Sequence, residues 1–126
     1  MTLMTATTPL ELRAKPGIDL HKLKPGTVIF LETNLCLYEL KILNSEHCLI
    51  EISGTDEGLK QLVVGQFIAS IYPVDPTVRL DAWIGQNLAM EIHFKNENYI
   101  SGPIISARVK GKGWGYDVFT GTPDVS

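Results

Sequence analysis

The residues best suited to chemistry form a basic and aromatic group late in the chain. They are Arg108, Lys110, Lys112, Trp114 and Tyr116. In a fully extended chain these side chains would share one face. Proteins use such a face to bind single-stranded nucleic acid, with cations along the backbone and aromatic rings stacked on the bases. A two-residue turn at Gly111 and Lys112 would instead send both rings to the apolar face and leave the cations outside. We therefore predict that the rings belong to the core and that the three cations contact an anion or a partner's carboxylates.

Metal binding and catalysis have weaker signals. Glu91 and His93 lie two apart and could share a metal, but no third ligand follows from the spacing, and a solvated polar face is more typical. His21 and His47 fall in other elements. The chain lacks the spacings of zinc proteases, serine hydrolases and phosphate-binding loops. We expect no metal, no cofactor and no catalytic residue, and hence a protein that is not an enzyme.

The two cysteines permit a geometric test. A three-residue loop at Asn44-Ser45-Glu46 places Cys48 opposite Ile42, and Cys36 lies about 20 Å back along that strand. A disulfide tolerates less than about 7 Å between Cα atoms. We predict free, inward-facing thiols, which are typical of a reducing compartment.

Composition limits the class of protein. With 126 residues, 44% hydrophobic and 20% charged, the chain should fold as one domain. A net charge of −3 argues against a protein whose main task is to bind phosphate backbones. No run approaches the roughly 20 apolar residues of a membrane helix, so we expect a cytoplasmic protein with no membrane partner.

Residue alternation predicts three hairpins. The turn at Gly111 and Lys112 pairs Val109 with Trp114, Ala107 with Tyr116 and Ile105 with Val118. The loop at Asn44-Ser45-Glu46 pairs Tyr38 with Ile52, Leu40 with Ile50 and Ile42 with Cys48. It also sets Glu39 unfavourably against Glu51, with Lys41 nearby.

The third hairpin lies between Leu88 and Ile100. Met90, Ile92 and Phe94 face inward, while Glu91, His93 and Lys95 face outward. A turn at Asn96-Glu97-Asn98 brings Ile100 to Phe94. The inward positions then change from even to odd numbers, so we predict a bulge or sharp bend at Ser101-Gly102-Pro103.

The remaining chain completes the domain. We expect a flexible amino-terminal arm over residues 1–22, one β domain over 23–120 and a polar tail over 121–126. We expect a short helix near residues 56–64, with an irregular loop as the alternative, and a strand over residues 77–84. The fold prediction is an all-β, small closed or partly open antiparallel barrel or sandwich of about seven or eight strands.

Three stretches carry a resemblance to a known group of proteins. They are Thr33-Asn34-Leu35-Cys36-Leu37-Tyr38-Glu39-Leu40, Ala82-Trp83-Ile84-Gly85-Gln86-Asn87-Leu88-Ala89-Met90 and Ser101-Gly102-Pro103-Ile104. They resemble the T-x-x-S-x-Y-x-L, I-x-x-G-x-x-M-x-I and T-S-P-I segments of a loose family of small uncharacterised proteins from bacterial and phage genomes. Cys36 stands at the serine position. The resemblance implies a short all-β domain and does not imply any activity.

The outward leucines favour a function in assembly. Leu35, Leu37, Leu43 and Leu49 face away from the predicted core, and exposed leucines at this density usually contact another subunit. We therefore predict a non-enzymatic binding or assembly module that forms homo-oligomers through β surfaces. Two alternatives are a small-molecule or nucleotide-binding barrel that uses Arg108 and Lys110, and a single-stranded nucleic-acid module.

Overall fold

The computed structural model of the chain describes residues 7–121 and confirms the predicted all-β class. Its one α-helix, α1, spans Pro9–Arg13, and short 3-10 turns span Leu20–Lys22 and Glu57–Leu59. The strands within this range are β1 (Gly17–Asp19), β2 (Val28–Glu32), β3 (Leu37–Asn44), β4 (Leu49–Gly54), β5 (Val63–Ile71), β6 (Arg79–Asp81), β7 (Trp83–Gly85), β8 (Ala89–Phe94), β9 (Glu97–Ile100), β10 (Ser106–Gly111) and β11 (Trp114–Phe119). No helix in the described range has the length and apolar character needed to cross a membrane.

Most strands belong to one antiparallel sheet in the order β11-β10-β2-β3-β4-β5-β8-β9, with β6 added beside β5. The sheet does not close, so β11 and β9 are its edges among the described residues. A second, two-stranded sheet pairs β1 with β7. The fold is therefore a partly open antiparallel sheet, curled around one core.

The core consists of the inward side chains of the central strands. Fully buried members are Ile29, Leu31, Leu40, Ile42, Ile50, Ile52, Phe67, Met90 and Ile92. Each of the strands β2, β3 and β4 alternates buried and more exposed positions, as a sheet with one covered face requires. A smaller cluster of Leu12, Leu80 and Leu88 lies outside the main core.

The β3–β4 hairpin has the predicted faces but a different register. Leu40 pairs with Ile52 and Ile42 with Ile50, because the turn occupies four residues and a bulge follows Ile42. The predicted pairing of Leu40 with Ile50 was therefore wrong by two residues. An even shift leaves every side chain on its own face. It also replaces the unfavourable pair of glutamates, since Glu51 lies opposite Lys41.

The β10–β11 hairpin is shifted in the same way. Its turn residues are Lys112 and Gly113, with Gly113 at φ +79°, so Gly111 pairs with Trp114 and Val109 with Tyr116. The predicted turn at Gly111 and Lys112 was wrong, and so was the pairing of Val109 with Trp114. The shift is even as far as Arg108, so Trp114 and Tyr116 keep the face of Val109. A bulge between Ala107 and Arg108 then changes the register, so Phe119 is the buried residue opposite Ala107.

The β8–β9 hairpin differs by an odd number of residues. Its turn lies at Lys95 and Asn96, with φ values of 52° and 61°, and Phe94 pairs with Glu97. The predicted meeting of Ile100 with Phe94 was wrong. An odd shift reverses the faces of β9, so Ile100 is exposed and Tyr99 points inward opposite Ile92.

The amino-terminal segment also differs from its prediction. Helix α1 buries Leu12, and β1 with the following turn buries Ile18 and Leu20 against the domain. Within the described residues, the arm predicted to extend to residue 22 is thus packed structure. Residues 1–6, and residues 122–126 of the predicted tail, lie outside the described range.

Three local predictions have mixed outcomes. The short helix near residues 56–64 is a 3-10 turn. The strand over residues 77–84 is broken at Ala82, which has φ 55°, and becomes β6 and β7. The predicted bend at Ser101-Gly102-Pro103 falls in the irregular segment between β9 and β10, after which adjacent Ile104 and Ile105 are both buried.

Candidate functional site

The outward face of the sheet carries a row of three side chains across three neighbouring strands. Phe30 on β2 lies opposite Arg108 on β10 and opposite Glu39 on β3. All three are exposed, and 38% of Phe30 is accessible to solvent. A phenyl ring thus stands between a cation and an anion on an uncovered sheet face.

Two shallow depressions border this row. One, of about 280 Å³, is lined by Phe30, Leu37 and Arg108 among others, and the second, of about 240 Å³, by Phe30, Leu37 and Glu39 among others. Phe30 and Leu37 belong to both, so together they form an apolar ridge. Leu37 pairs with Glu32 and is 56% exposed.

The four predicted interface leucines do not form one patch. Leu35 lies in the turn between β2 and β3 with 92% exposure, at the same end of the hairpin as Leu37. Leu43 lies in the bulge near the opposite end, next to Asn44, which pairs with Leu49. Leu43 lies six positions after Leu37 along β3, about 20 Å at the usual rise. The structure therefore divides these leucines into two separate pairs.

The three predicted cations are also divided. Arg108 and Lys110 project from β10 on the outward face, whereas Lys112 lies in the β10–β11 turn. Arg108 Nε is 3.9 Å from Asp117 Oδ1, and both side chains are more than half exposed. An exposed ion pair of this kind adds little stability, so Arg108 stays able to meet another carboxylate.

The two aromatic rings of β11 are where the sequence prediction fails most clearly. Trp114 is 47% exposed and Tyr116 52% exposed, so the prediction that both belong to the core was wrong. Their centroids are 5.8 Å apart and their planes differ by 19°, which is a stacked pair. They share the face of buried Val109, but β11 is an edge strand and no described element covers them.

A hydrogen-bonded group that sequence analysis missed joins three distant parts of the chain. Tyr99 Oη donates to Asp56 Oδ2, and the hydroxyls of Tyr38 and Tyr99 are 2.6 Å apart. Because Tyr99 has one hydroxyl proton and gives it to the carboxylate, Tyr38 must be the donor between the two tyrosines. The group lines a cleft of about 250 Å³ that also includes Cys36.

Burial keeps these hydroxyls protonated. It raises the pKa of Tyr38 to about 12, with further increases from neighbouring Cys36 and Asp56. Burial also raises the pKa of Tyr99, and the hydrogen bond that it donates to Asp56 raises it further. Hydroxyls held in the neutral form donate hydrogen bonds and do not act as bases near neutral pH. The geometry favours a structural or binding role for this group.

The cysteines are free, as predicted. Cys48 is buried, and burial raises the pKa of its thiol, which keeps it protonated and unreactive. Cys36 is half-buried at the edge of the tyrosine cleft.

Glu91 and His93 do not share a site. Glu91 is 6% exposed and forms an ion pair with Arg79, so the prediction that Glu91 faces solvent was wrong. His93 is exposed, and its Nδ1 lies 2.8 Å from Asn98 Oδ1. Among the described residues, no three acidic, histidine or cysteine side chains are grouped as a metal site would require.

Comparison with known proteins adds no relative. No protein-family model, curated protein or solved structure matches the chain. The resemblance to small bacterial and phage proteins therefore stays a prediction. Two of the stretches that carry it do meet in the structure, since Thr33, Cys36 and Tyr38 line the same cleft as Gly102 and Pro103.

Proposed function

We propose that this protein is a non-enzymatic assembly module in which two copies pack face to face through the outward surface of β10, β2 and β3. The observation that carries the proposal is the row formed by Arg108, Phe30 and Glu39. Its members occur in the order cation, ring, anion, which is complementary to a second copy of itself.

Two-fold symmetry makes the match explicit. A rotation axis that runs along β2, between the two sheets, places Phe30 against Phe30 of the partner copy. The same rotation exchanges the two sides of the row. Arg108 of each copy then lies opposite Glu39 of the other, and one kind of contact occurs twice.

The apolar ridge supplies the affinity in this arrangement. Phe30 and Leu37 are 38% and 56% exposed, and their burial removes apolar surface from water at about 25 cal/mol per Å². The flanking charges set register and partner choice more than affinity, because their desolvation offsets much of their attraction. Arg108 of each copy thereby contacts a carboxylate of the other, whereas the same rotation sets Lys110 opposite Lys41.

Charge reversal tests the proposal. Arg108→Glu places two negative charges opposite each other at both contacts of the dimer. Glu39→Arg places two positive charges opposite each other at the same contacts. We expect the wild-type chain to run as a dimer in size-exclusion chromatography with light scattering at micromolar concentration, and each variant to run as a monomer. An equimolar mixture of the two variants restores both opposite-charge contacts and should run as a heterodimer.

Lys95→Glu is the matched control, because Lys95 is an exposed cation in the distant β8–β9 turn. It should leave the dimer intact. A monomeric wild type would overturn the proposal, and so would two charge-reversal variants that remain dimers. Rescue by mixing also shows that the single variants are folded.

A further inference from the structure

A cleft of about 260 Å³ lies between the tip of the β10–β11 hairpin and the turn before β2. Its lining residues are Lys24, Pro25, Gly26, Thr27, Gly111, Lys112 and Trp114. Two lysines and an indole therefore share one concave surface, and none of these described lining residues is acidic. The local charge is positive although the chain as a whole carries −3.

Both walls of the cleft are fixed by backbone geometry. On one side, Gly26 has φ +91° after Pro25, as a tight turn requires, and Thr27 N donates to Lys24 O at 3.1 Å. Gly26 N also donates to Ile42 O at 2.8 Å, which ties this turn to β3. On the other side, Gly113 at φ +79° closes the hairpin. A site with fixed walls loses little conformational entropy when a ligand binds.

The indole is also held in place. A Cβ atom at Gly111 would lie 2.1 to 2.3 Å from the Trp114 ring, so the ring packs directly over the glycine backbone. The Tyr116 ring stacks beside the indole, with the two ring centroids 5.8 Å apart. The glycine at this position thus allows a close approach that turns two exposed side chains into an ordered aromatic surface.

We propose that this cleft binds a nucleotide, with its base stacked on the aromatic pair of Trp114 and Tyr116 and its phosphate held by Lys24 and Lys112. Stacking on exposed aromatic rings is the sequence-tolerant way in which proteins hold bases. Lysine ammonium groups bind phosphate as point charges. A neutral planar ligand would leave the lysines unused, and a simple phosphate would leave the rings unused. The same chemistry serves a free nucleotide and one nucleotide of a single strand.

The site differs from the one predicted from sequence. The cations that accompany the rings are Lys24 and Lys112, whereas Arg108 and Lys110 lie on the opposite face. The nucleotide site is therefore separate from the proposed dimer surface. Arg108→Glu should abolish dimers and leave nucleotide binding unchanged, so the two proposals can fail independently.

Nuclear magnetic resonance of the full chain provides the test. The protein has two tryptophans, so its ¹⁵N-labelled indole groups give two signals, and Trp83 serves as an internal reference. Titration with adenosine monophosphate should shift the Trp114 indole signal and not that of Trp83. Adenosine, which lacks the phosphate, and ribose 5-phosphate, which lacks the base, should each bind at least about fivefold more weakly.

Three substitutions separate the roles. Lys112→Gln and Lys24→Gln should each weaken binding severalfold, and the loss should shrink as salt concentration rises, because the contact is electrostatic. Lys110→Gln is the matched control on the opposite face and should have no effect. Trp114→Leu should remove the stacking contribution, with the backbone signals of neighbouring residues reporting binding.

The outcomes are distinct. No shift of the Trp114 signal at millimolar adenosine monophosphate would overturn the proposal, as would equal binding by Lys110→Gln and the two cleft lysine variants. We also compare the mononucleotide with a ten-nucleotide single-stranded DNA. Tighter binding of the DNA, with the same dependence on Lys24 and Lys112, would identify a single strand as the ligand of the cleft. Equal affinity would identify the free nucleotide.

Discussion

The β3–β4 and β10–β11 hairpins have the same alternating pattern of residues, but their inward side chains differ in burial. In the first, the inward residues of both strands are buried, including Leu40 and its partner Ile52. In the second, Val109 is buried while its direct partner Tyr116 is half exposed. The two side chains point to the same side of the sheet and still differ in burial.

Position within the sheet explains the contrast. β3 and β4 are central strands, with the core beneath them, whereas β11 is an edge. Alternation assigns a side chain to a face, but burial also requires another element opposite that face. The difference between the hairpins thus shows where the molecule has an interior and where it offers a surface.

The largest expected effect sharpens this contrast through stability. Leu40→Ala removes a fully buried side chain and should lower the free energy of unfolding by about 3 kcal/mol. Trp114→Leu, in the edge hairpin, should change it by less than about 0.5 kcal/mol despite the larger side chain. Guanidinium denaturation followed by circular dichroism measures both. Similar losses in the two variants would mean that Trp114 is part of the core.

A second prediction concerns alkaline pH and Tyr38 of the covered hairpin. The pKa of Tyr38 is raised to about 12 in the folded state, from 10.0. Between these values the unfolded chain loses a proton that the folded chain retains, so stability is complete below pH 10 and falls as pH rises toward 12. The free energy of unfolding should fall by on the order of 2 kcal/mol across this pH range.

Denaturation at pH 9, 10 and 11 measures this dependence. Tyr38→Phe removes one of the two titrating tyrosines and should make the profile less steep between pH 10 and 12 than in the wild-type chain, with the remaining slope due to Tyr99, whose pKa is also raised. A profile equally steep in the variant would assign the alkaline loss to other groups.

The sequence was sufficient for the fold class and for most faces. Alternation in β3, β4 and β8 identified the inward apolar residues, because a sheet with one covered face imposes a period of two. Even errors in register did not change these faces. The odd error at β9 did, since the turn there uses Lys95 and Asn96 at positive φ, a conformation that lysine rarely adopts.

The candidate sites were harder to predict, because they depend on contacts between distant parts of the chain. Tyr99 is 61 residues from Tyr38 and 43 from Asp56. A buried tyrosine hydroxyl needs a partner, so the inward position of Tyr38 did signal a hydrogen bond, although it could not identify Tyr99. Similarly, nothing local to Lys24 indicates that it lies beside Trp114.

The smallest expected effect compares one glycine from each hairpin. At Gly54 an added Cβ would lie 2.8 Å from the Tyr38 ring and 2.9 Å from the Leu37 carbonyl oxygen. Neither can move easily, because Tyr38 is buried and bonded to Tyr99 and the oxygen belongs to the backbone. Overpacking lowers the free energy of unfolding by about 1 to 3 kcal/mol. The reduced entropy of the unfolded chain raises it by about 0.4 to 1 kcal/mol. Gly54→Ala should therefore destabilise the protein by about 1 kcal/mol.

At Gly111 the three atoms nearest to an added Cβ belong to the Trp114 side chain, which has solvent on its exposed side. The ring can swing away, so Gly111→Ala should keep wild-type stability within about 0.5 kcal/mol and displace only the indole. Denaturation of both variants tests the stability difference, and the Trp114 indole signal reports the ring. Equal destabilisation by the two substitutions would contradict the distinction, because it would require the edge hairpin to be as firmly enclosed as the central one. An unmoved indole signal in Gly111→Ala would show that the ring does not rest on this glycine.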